Sequence, residues 1–592
     1  AVKQEAGDKD VFVSAINPDA GGKPSLMVSF LVGGTGDDIL HDFDAQFVTD
    51  AATLTLGGET FSTDFPGTTT ALNAGDNDTA SDGFVLVLDY QAPLPKSLSQ
   101  VYGLYLGGTA DDAVTAVRND GVESFATGWT ESPGFPIVGN TMAPLPDMRR
   151  DAFVARVASG GTLEYACLLG AEDAAANGLC LFGAAARTVA IAGETVIPRP
   201  GELGGGTNVF PVTQSAFQKT PVAGSPQDGF LGVVNTDATT DPVTFLSYLG
   251  GEGSDTAVDL AYQSPDGLYV AGATASAGFG GPMDGLTVVG ALTGPRDAFL
   301  FTVSETLAPQ FLAYVGGSGT ETLEGLDVSA DGVCLAGATD SDDAWVDAYS
   351  PTAAPLLSDL NMGAATEPGV RDGFIVRLFP VLVFPDYQYA TYFGGDGDDV
   401  ATSAHYDAWQ GLFVAGNTVS ENFPLSDAIR TRLQGPSDAF VARMHNVVFV
   451  NPEATLTPDG LTWESGQRTL TDAIQQTQTG ASDEIWVAGG VYAEAAEIAM
   501  DPLLAIYGSF TPGAWAREER NVTMQPSILD GTGEHRILKG AYGRLDSFVL
   551  RNGSASNGGA IRLDAGADLV VANCFFHNNT AEWSGSGGDG MG

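Results

Sequence analysis

Acidic residues set in glycine-rich turns are the first groups in this sequence that could do chemistry. Asp37 and Asp38, Asp111 and Asp112, Asp255, and the cluster Asp396, Asp398 and Asp399 stand at one position of successive recurring segments. Hard carboxylate oxygens in a tight turn suit calcium, and Asp396, Asp398, Asp399, Asp37 and Asp38 are the residues expected to hold it. The competing reading is that each aspartate caps its own turn by accepting backbone N–H groups, and no complete EF-type loop occurs. Calcium is the only cofactor expected. The histidines, His41, His405, His445, His535 and His577, are scattered. None forms an i, i+4 metal pair, and no HExxH or GxSxG is present, so no zinc-protease or serine-hydrolase centre is expected. Trp129, Trp345, Trp409 and Trp463 could stack on sugar rings, although isolated tryptophans more often serve packing.

The overall charge narrows the partners. Lys and Arg total 25 against 74 for Asp and Glu, a formal net charge of −49. Such a surface repels nucleic acid and anionic headgroups, so neither is expected as a partner. Salt screens its self-repulsion, which fits a salt-adapted source, a calcium-neutralised surface or a plain acidic one. No run of about 18 apolar residues exists, so no transmembrane helix is expected. The opening AVKQEAGDKD suits a mature terminus left after removal of a signal peptide, which places the chain outside the cell or on its surface. Four cysteines are too few for a disulfide framework in 592 residues. Cys167 and Cys180 are the only close pair, expected in consecutive strands of neighbouring sheets, and their spacing matches no zinc site.

The elements that must carry these groups are repeated. One phrase returns seven times: DVFVSAI (Asp10–Ile16), DGFVLVL (Asp82–Leu88), DAFVARV (Asp151–Val157), DGFLGVV (Asp228–Val234), DAFLFTV (Asp297–Val303), DGFIVRL (Asp372–Leu378) and DAFVARM (Asp438–Met444). Each alternates with period two, as a strand does. A second phrase follows most copies, as in FLVGGTGDD, YLGGTADD, YLGGEGSD, YVGGSGTE and YFGGDGDD, with CLLGAED a degraded copy. It reads as a strand ending in a tight glycine turn. Two more strands split by a turn follow, as in AVDLAYQSPDGLYVAGAT (Ala257–Thr274). Each unit therefore holds four short antiparallel strands in roughly 70 residues, and four-stranded sheets repeated around an axis make a β-propeller.

These phrases resemble the SBBP-type repeat of bacterial β-propellers found in large secreted and surface proteins. The resemblance covers about residues 10–446 and implies fold and secretion, with no catalytic set to carry over. Six or seven blades are expected, with the VDLAY-type strand innermost and the YLGG strand outermost. Met27–Gly33 is expected to close the last blade. The extra Asp10–Ile16 strand fits that scheme badly and belongs either there or to an incomplete seventh blade finished by Val447–Val450.

After Asn446 the pattern changes, giving domains 1–446 and 447–592. A helix is expected over Thr469–Thr477 and a strand over Glu484–Ala488. Later, short apolar strands recur every 20 to 25 residues, with GGAI (Gly558–Ile561) and FFHN (Phe575–Asn578) among them. The segment resembles the opening of a right-handed parallel β-helix of the pectin-lyase type, with a short capping helix and phrases like those of polymorphic outer-membrane adhesins. Asparagines in its stacked turns are expected to form ladders, with His577 a surface or ladder residue. The rungs stop at Gly592, so the natural protein is expected to continue.

The fold class expected is thus all-β: a propeller of four-stranded antiparallel blades followed by the first rungs of a β-helix. The function expected is a non-catalytic surface or adhesion module, not an enzyme, displaying loops such as Thr130–Arg150 and Val196–Gln227 to a surface protein or glycan. One alternative is a glycan-binding or lyase-like protein, for which Lys539, Arg536 and Arg544 are the nearby bases. Another is self-assembly into an extracellular fibre or layer through an unmatched strand.

Overall fold

A computed structural model describes residues 9–581 except 18–24, 49–50, 67–79, 92–96, 140–148, 171–172, 184–186, 198–209, 282, 330–331, 342–369, 379–386, 407–411, 425–427, 431, 445–446, 459, 461–462, 480–483, 501–503, 515–519, 541 and 564–567. The chain separates into two compact units: 1–349 with 360–404 and 415–440, and 441–592 with 350–359 and 405–414.

The first unit is a six-bladed propeller preceded by a hairpin of β1 (Val11–Asn17) and β2 (Ser25–Val32). Blade one is β3 (Asp38–Val48), β4 (Ala51–Thr60), β5 (Asp82–Gln91) and β6 (Ser97–Leu106). Blade two is β7 (Asp112–Asn119), β8 (Ser124–Thr130), β9 (Asp151–Val157) and β10 (Leu163–Leu168). Blade three is β11 (Ala174–Leu181), β12 (Thr188–Val196), β13 (Gln227–Asn235) and β14 (Val243–Leu249). Blade four is β15 (Asp255–Gln263), β16 (Gly267–Thr274), β18 (Asp297–Val303) and β19 (Pro309–Val315), with the short β17 (Thr287–Val289) parallel to β19 on its outer edge. Blade five is β20 (Glu321–Ser329), β21 (Gly332–Thr339), β22 (Asp372–Leu378) and β23 (Tyr387–Phe393). Blade six shows three strands, β24 (Asp399–Tyr406), β25 (Leu412–Thr418) and β26 (Asp438–Met444). The recurring DxF phrase is the third strand of every blade. Met27–Gly33 does not close the last blade: β2 pairs with β1 in a separate two-stranded sheet.

Two packing rules explain the repeat. In blades one to five the phenylalanine of the DxF strand lies opposite a glycine of the second strand: Phe84 on Gly58, Phe153 on Gly128, Phe230 on Gly193, Phe299 on Gly272 and Phe374 on Gly337. A Cβ on any of these glycines would land on a first-strand carbonyl oxygen, such as that of Thr256 for Gly272. No other residue fits, which is why the YVAG phrase recurs. A second aromatic then stacks on the same phenylalanine, as Phe65 does on Phe84 at 4.4 Å and Phe279 on Phe299 at 4.5 Å between ring centroids. The first strands of blades one to five also carry a β-bulge four residues in, as between Leu40 and Asp42 or Ala257 and Asp259. Bulges re-aim the side chains that follow them.

The second unit is a coil of parallel strands. Its first sheet orders β27 (Val447–Val450), β28 (Glu484–Ala488), β31 (Ala505–Phe510), β34 (Tyr542–Asp546) and β38 (Asp568–Ala572). A second orders β29 (Gly490–Tyr492), β32 (Ser527–Asp530), β35 (Phe548–Arg551) and β39 (Phe575–His577). Shorter sheets hold β30 (Ile498–Met500), β33 (Leu538–Gly540) and β37 (Ile561–Arg562), and β36 (Ser554–Ala555) with β40 (Thr580–Ala581). Successive turns thus pair in parallel, one strand above the next. The helix α1 (Leu470–Thr479) buries Leu470, Ala473 and Ile474 against Val448 and Ile485. Val447–Val450 is therefore no part of a seventh blade: it pairs in parallel with Glu484–Val487. Of the expected asparagine ladder, one link is seen among the described residues: Asn578 Nδ2 donates to Asn552 Oδ1 at 2.8 Å, with Asn578 exposed.

Candidate functional site

The recurring acids stand at the blade corners, and their carboxylates are surrounded by donors. Asp38 Oδ2 accepts from the Gly34 N–H at 2.7 Å and the Ser62 hydroxyl at 3.0 Å, and its other oxygen accepts from Thr60. Asp255 repeats this with Gly251 at 2.7 Å, Ser276 at 2.8 Å and Thr274 at 2.5 Å. Asp112, Glu321 and Asp399 occupy the equivalent place in their blades. The partner hydroxyls form a T-x-S phrase directly after the second strand, which the sequence reading passed over. In blade three the acid is replaced by Ala174, and Thr195 is followed by Ile197 where a serine would stand. Burial is the main cause pushing the carboxyls of Asp112 and Glu321 up to about 7, against the pull of these hydrogen bonds.

The calcium candidates divide accordingly. Asp38 and Asp399 are buried in corners where a glycine N–H and a serine hydroxyl donate to each. Asp398 accepts from the Arg371 N–H at 3.0 Å, while Asp396 stands exposed with its N–H on Asn422. Asp37 uses its backbone carbonyl to hold the Phe61 N–H at 2.8 Å. Among the described residues, no three His, Cys, Asp or Glu side chains gather as a metal-holding group. The other candidates also have structural partners. Trp463 is buried against Phe449 and Phe510, and its indole N–H donates to Ala514 O at 2.9 Å. Trp129 lies under the Arg150 guanidinium, 4.1 Å from its ring centroid. Trp345 and Trp409 lie outside the described residues, as do parts of the two candidate display loops. Arg536 is held by Glu497 at 2.6 Å and by the Asn557 and Gly558 carbonyls, Lys539 reaches Glu497 at 3.9 Å, and Arg544 is held by Asp546 at 2.7 Å. Cys167 and Cys180 are both free and buried.

A different set of charges meets where the first strands of the blades face one another. Past the bulge of β3, Asp42 Oδ2 lies 2.6 Å from Arg118 Nη1 on β7 and also accepts the Val117 N–H at 2.9 Å. Asp44 Oδ2 takes the Asn119 N–H at 2.7 Å. Across the ring, Asp259 on β15 accepts from Leu260 N at 2.8 Å and from Leu326 N of blade five at 3.1 Å. Asn177 of blade three donates to Ala257 O of blade four at 3.0 Å. The field is shared: burial works against the Arg118 cation, and Asp42, Asp259 and Asp44 more than offset it. Burial is also the main cause lifting the Asp259 carboxyl to about 6, Arg118 pulling it down and Asp42 pushing it up. Arg118 and Asp42 remain 28% and 26% exposed, whereas the corner acids are buried.

Chemically, the array offers a fixed guanidinium fork, carboxylate acceptors, and in Asp259 an acid that changes protonation near neutrality. Forked donors and paired acceptors match vicinal hydroxyls or a carboxylate, and two acids in unlike environments are the usual parts of proton-transfer chemistry. The sequence reading missed Asp42, Asp44, Arg118 and Asp259. Their signal was present: charged residues inside otherwise apolar innermost strands (HDFDAQ, AVRND, AVDLAY), with Asp42 and Asp259 at one repeat position and Asp44, Arg118 and Asp327 at another.

No protein-family model and no curated protein matches the chain. Among solved structures, it is similar to a Synechocystis apocarotenoid oxygenase mutant, with 8% identity and a TM-score of 0.26 over 65% of this chain and 62% of the other. It is similar to a GH43 β-1,3-galactosidase with galactodeoxynojirimycin bound, with 7% identity and a TM-score of 0.23 over 56% and 89% of the two chains. It is also similar to Trypanosoma rangeli sialidase in complex with sialic acid, with 6% identity and a TM-score of 0.24 over 69% and 55%. The chain thus spans less than two thirds of the oxygenase it matches. The expectation that it is not an enzyme is corrected: an oxygenase, a galactosidase and a sialidase stand among the structures similar to it, and a propeller of repeated blades is no ground for excluding catalysis.

Proposed function

We propose that the chain binds or cleaves a glycan at the axial array of Asp42, Asp44, Arg118 and Asp259. The observation that carries this reading is the break in repetition. Blade corners use the same acid and the same hydroxyls in nearly every blade, whereas the axis sets the cation Arg118 at a position where blades one and five carry Asp44 and Asp327, and leaves it partly exposed. In this reading Arg118 orients hydroxyl or carboxylate groups of a sugar, Asp42 and Asp44 accept hydrogen bonds, and Asp259 exchanges a proton. Glycosidic cleavage requires a carboxylic acid that is still protonated beside a second carboxylate. The lifted Asp259 carboxyl, next to Asp42, supports those roles. An acidic, salt-tolerant surface supports an extracellular setting, and the parallel coil is read as the first turns of a right-handed β-helix acting as a stalk.

The test is a glycan array together with a panel of nitrophenyl glycosides and uronate polymers, run on the wild-type chain, Arg118→Met and Asp259→Asn. Arg118→Met is expected to lower glycan retention at least tenfold. If cleavage is found, Asp259→Asn is expected to remove it and to shift which glycans are retained without abolishing binding, and the wild-type rate to fall as pH rises past about 6. Retention and turnover equal to wild type in both variants would reject the site.

A further inference from the structure

Seven phenylalanines share one sequence setting, and six glycines receive them. Phe84, Phe153, Phe230, Phe299 and Phe374 lie on their second-strand glycines and are at most 1% exposed. The sixth glycine, Gly416, lies beneath Phe440. The seventh phenylalanine, Phe12 of β1, is opposite Leu31 and 57% exposed.

The hairpin of Phe12 nevertheless sits where third and fourth blade strands belong. The Asp38 N–H donates to Lys9 O at 2.9 Å, as Asp112 N–H does to Ser81 O at 2.9 Å and Asp399 N–H to Arg371 O at 2.7 Å. In those two cases the acceptor directly precedes the DxF strand of the blade before. Val11 and Val32 pack with Leu56 and Phe84 of blade one. In a ring of six, the blade before blade one is blade six. Its third-strand place on β25 is taken by β26, which has no fourth strand beside it among the described residues. β26 is also poorly seated: Val441 is 59% exposed, while its equivalents Val85, Val154, Leu231, Leu300 and Ile375 are at most 3% exposed. Meanwhile β1–β2 exposes Phe12, Ile16, Leu26 and Leu31, at 57%, 36%, 53% and 41%. Their register places these four on one face of the hairpin.

We propose that β1 and β26 are alternative third strands for one edge of β25, and that the closed ring forms when β1 takes that edge, bringing β2 as its outer strand and releasing β26. The exchange sets Phe12 on Gly416 and completes a four-stranded sixth blade from the two ends of the propeller. It also frees Asp438–Met444, the segment that leads into the parallel coil.

Engineered disulfides in the full chain test it. By the blade register, Asn417 faces Ala439 when β26 is docked and Val11 when β1 is docked. The pair Val11→Cys with Asn417→Cys is expected to oxidise within one chain, read by mass mapping of the linked peptides, and to outcompete Asn417→Cys with Ala439→Cys. Phe12→Ser is expected to lower Tm by several degrees, more than Phe440→Ser does. A 417–439 bridge alone, an 11–417 bridge joining two copies, or a Phe12→Ser variant with unchanged Tm would each overturn closure by β1.

Discussion

The blade corners and the axis use the same residue type for opposite ends. At a corner, Asp255 is fully buried and its oxygens are filled by one backbone N–H and two hydroxyls. Four residues along the same strand, beyond the bulge, Asp259 faces the axis and shares the field of Arg118. The first acid recurs in nearly every blade and holds the turn of the glycine pair. The second has a counterpart in one other blade among the described residues, Asp42 of blade one, which likewise accepts an N–H of the next blade. In a repeat protein, what recurs belongs to the scaffold, and what departs from the repeat is where function is to be sought.

The comparison can be broken first at the scaffold, where effects are largest. Gly272→Val pushes side-chain atoms into the Thr256 carbonyl and the Phe299 ring. It is expected to prevent blade four from forming, seen as loss of soluble folded protein, a larger effect than the ~3–5 kcal/mol of Phe299→Ala in denaturant unfolding. Asp255→Ala leaves the Gly251 N–H and the Ser276 and Thr274 hydroxyls without their acceptor. It is expected to cost about 2–3 kcal/mol, measured the same way.

Next in size is pH. The corner carboxyls of Asp112, Asp228 and Glu321 are lifted to about 7 in the fold, burial being the first cause of each. An acid whose folded pKa is raised binds more protons folded than unfolded, so its contribution is complete below the unfolded value near 4 and is lost as pH rises through about 7. Relief of self-repulsion from a net charge of −49 acts in the same direction. Thermal melts are expected to show a higher Tm at pH 5 than at pH 8.5, and Asp112→Asn is expected to flatten that slope. The smallest change in stability is expected at the axis. Arg118→Met removes a partly exposed ion pair and is expected to lower stability by about 1 kcal/mol or less.

Much of the scaffold was legible because its constraints are local. A phenylalanine needs a glycine opposite, a glycine pair needs an acid to hold its turn, and these requirements print a phrase on every blade. The expected DxF strands begin within a residue of the starts of β1, β5, β9, β13, β18, β22 and β26, and the helix expected at 469–477 is α1 at Leu470–Thr479. The T-x-S phrase was on the page too, but its role depends on a hydrogen bond across some twenty residues, as between Ser276 and Asp255. The axial array was illegible for a stronger reason. Asp42, Arg118 and Asp259 come from three blades and more than two hundred residues of chain, and only ring closure and the bulges bring them together. The partner of β1 was equally hidden, since two segments carry the same phrase and pairing cannot be read from either.

The most direct measurement compares Asp255→Asn with Asp259→Asn, two substitutions of one kind in one strand, by melting temperature and by binding to the glycan array. If repetition marks scaffold and departure marks function, Asp255→Asn lowers Tm by several degrees and leaves the folded protein's glycan profile unchanged, while Asp259→Asn leaves Tm within about a degree and alters the profile. The reverse pattern, with the axial variant losing stability and retaining every glycan signal, would contradict it.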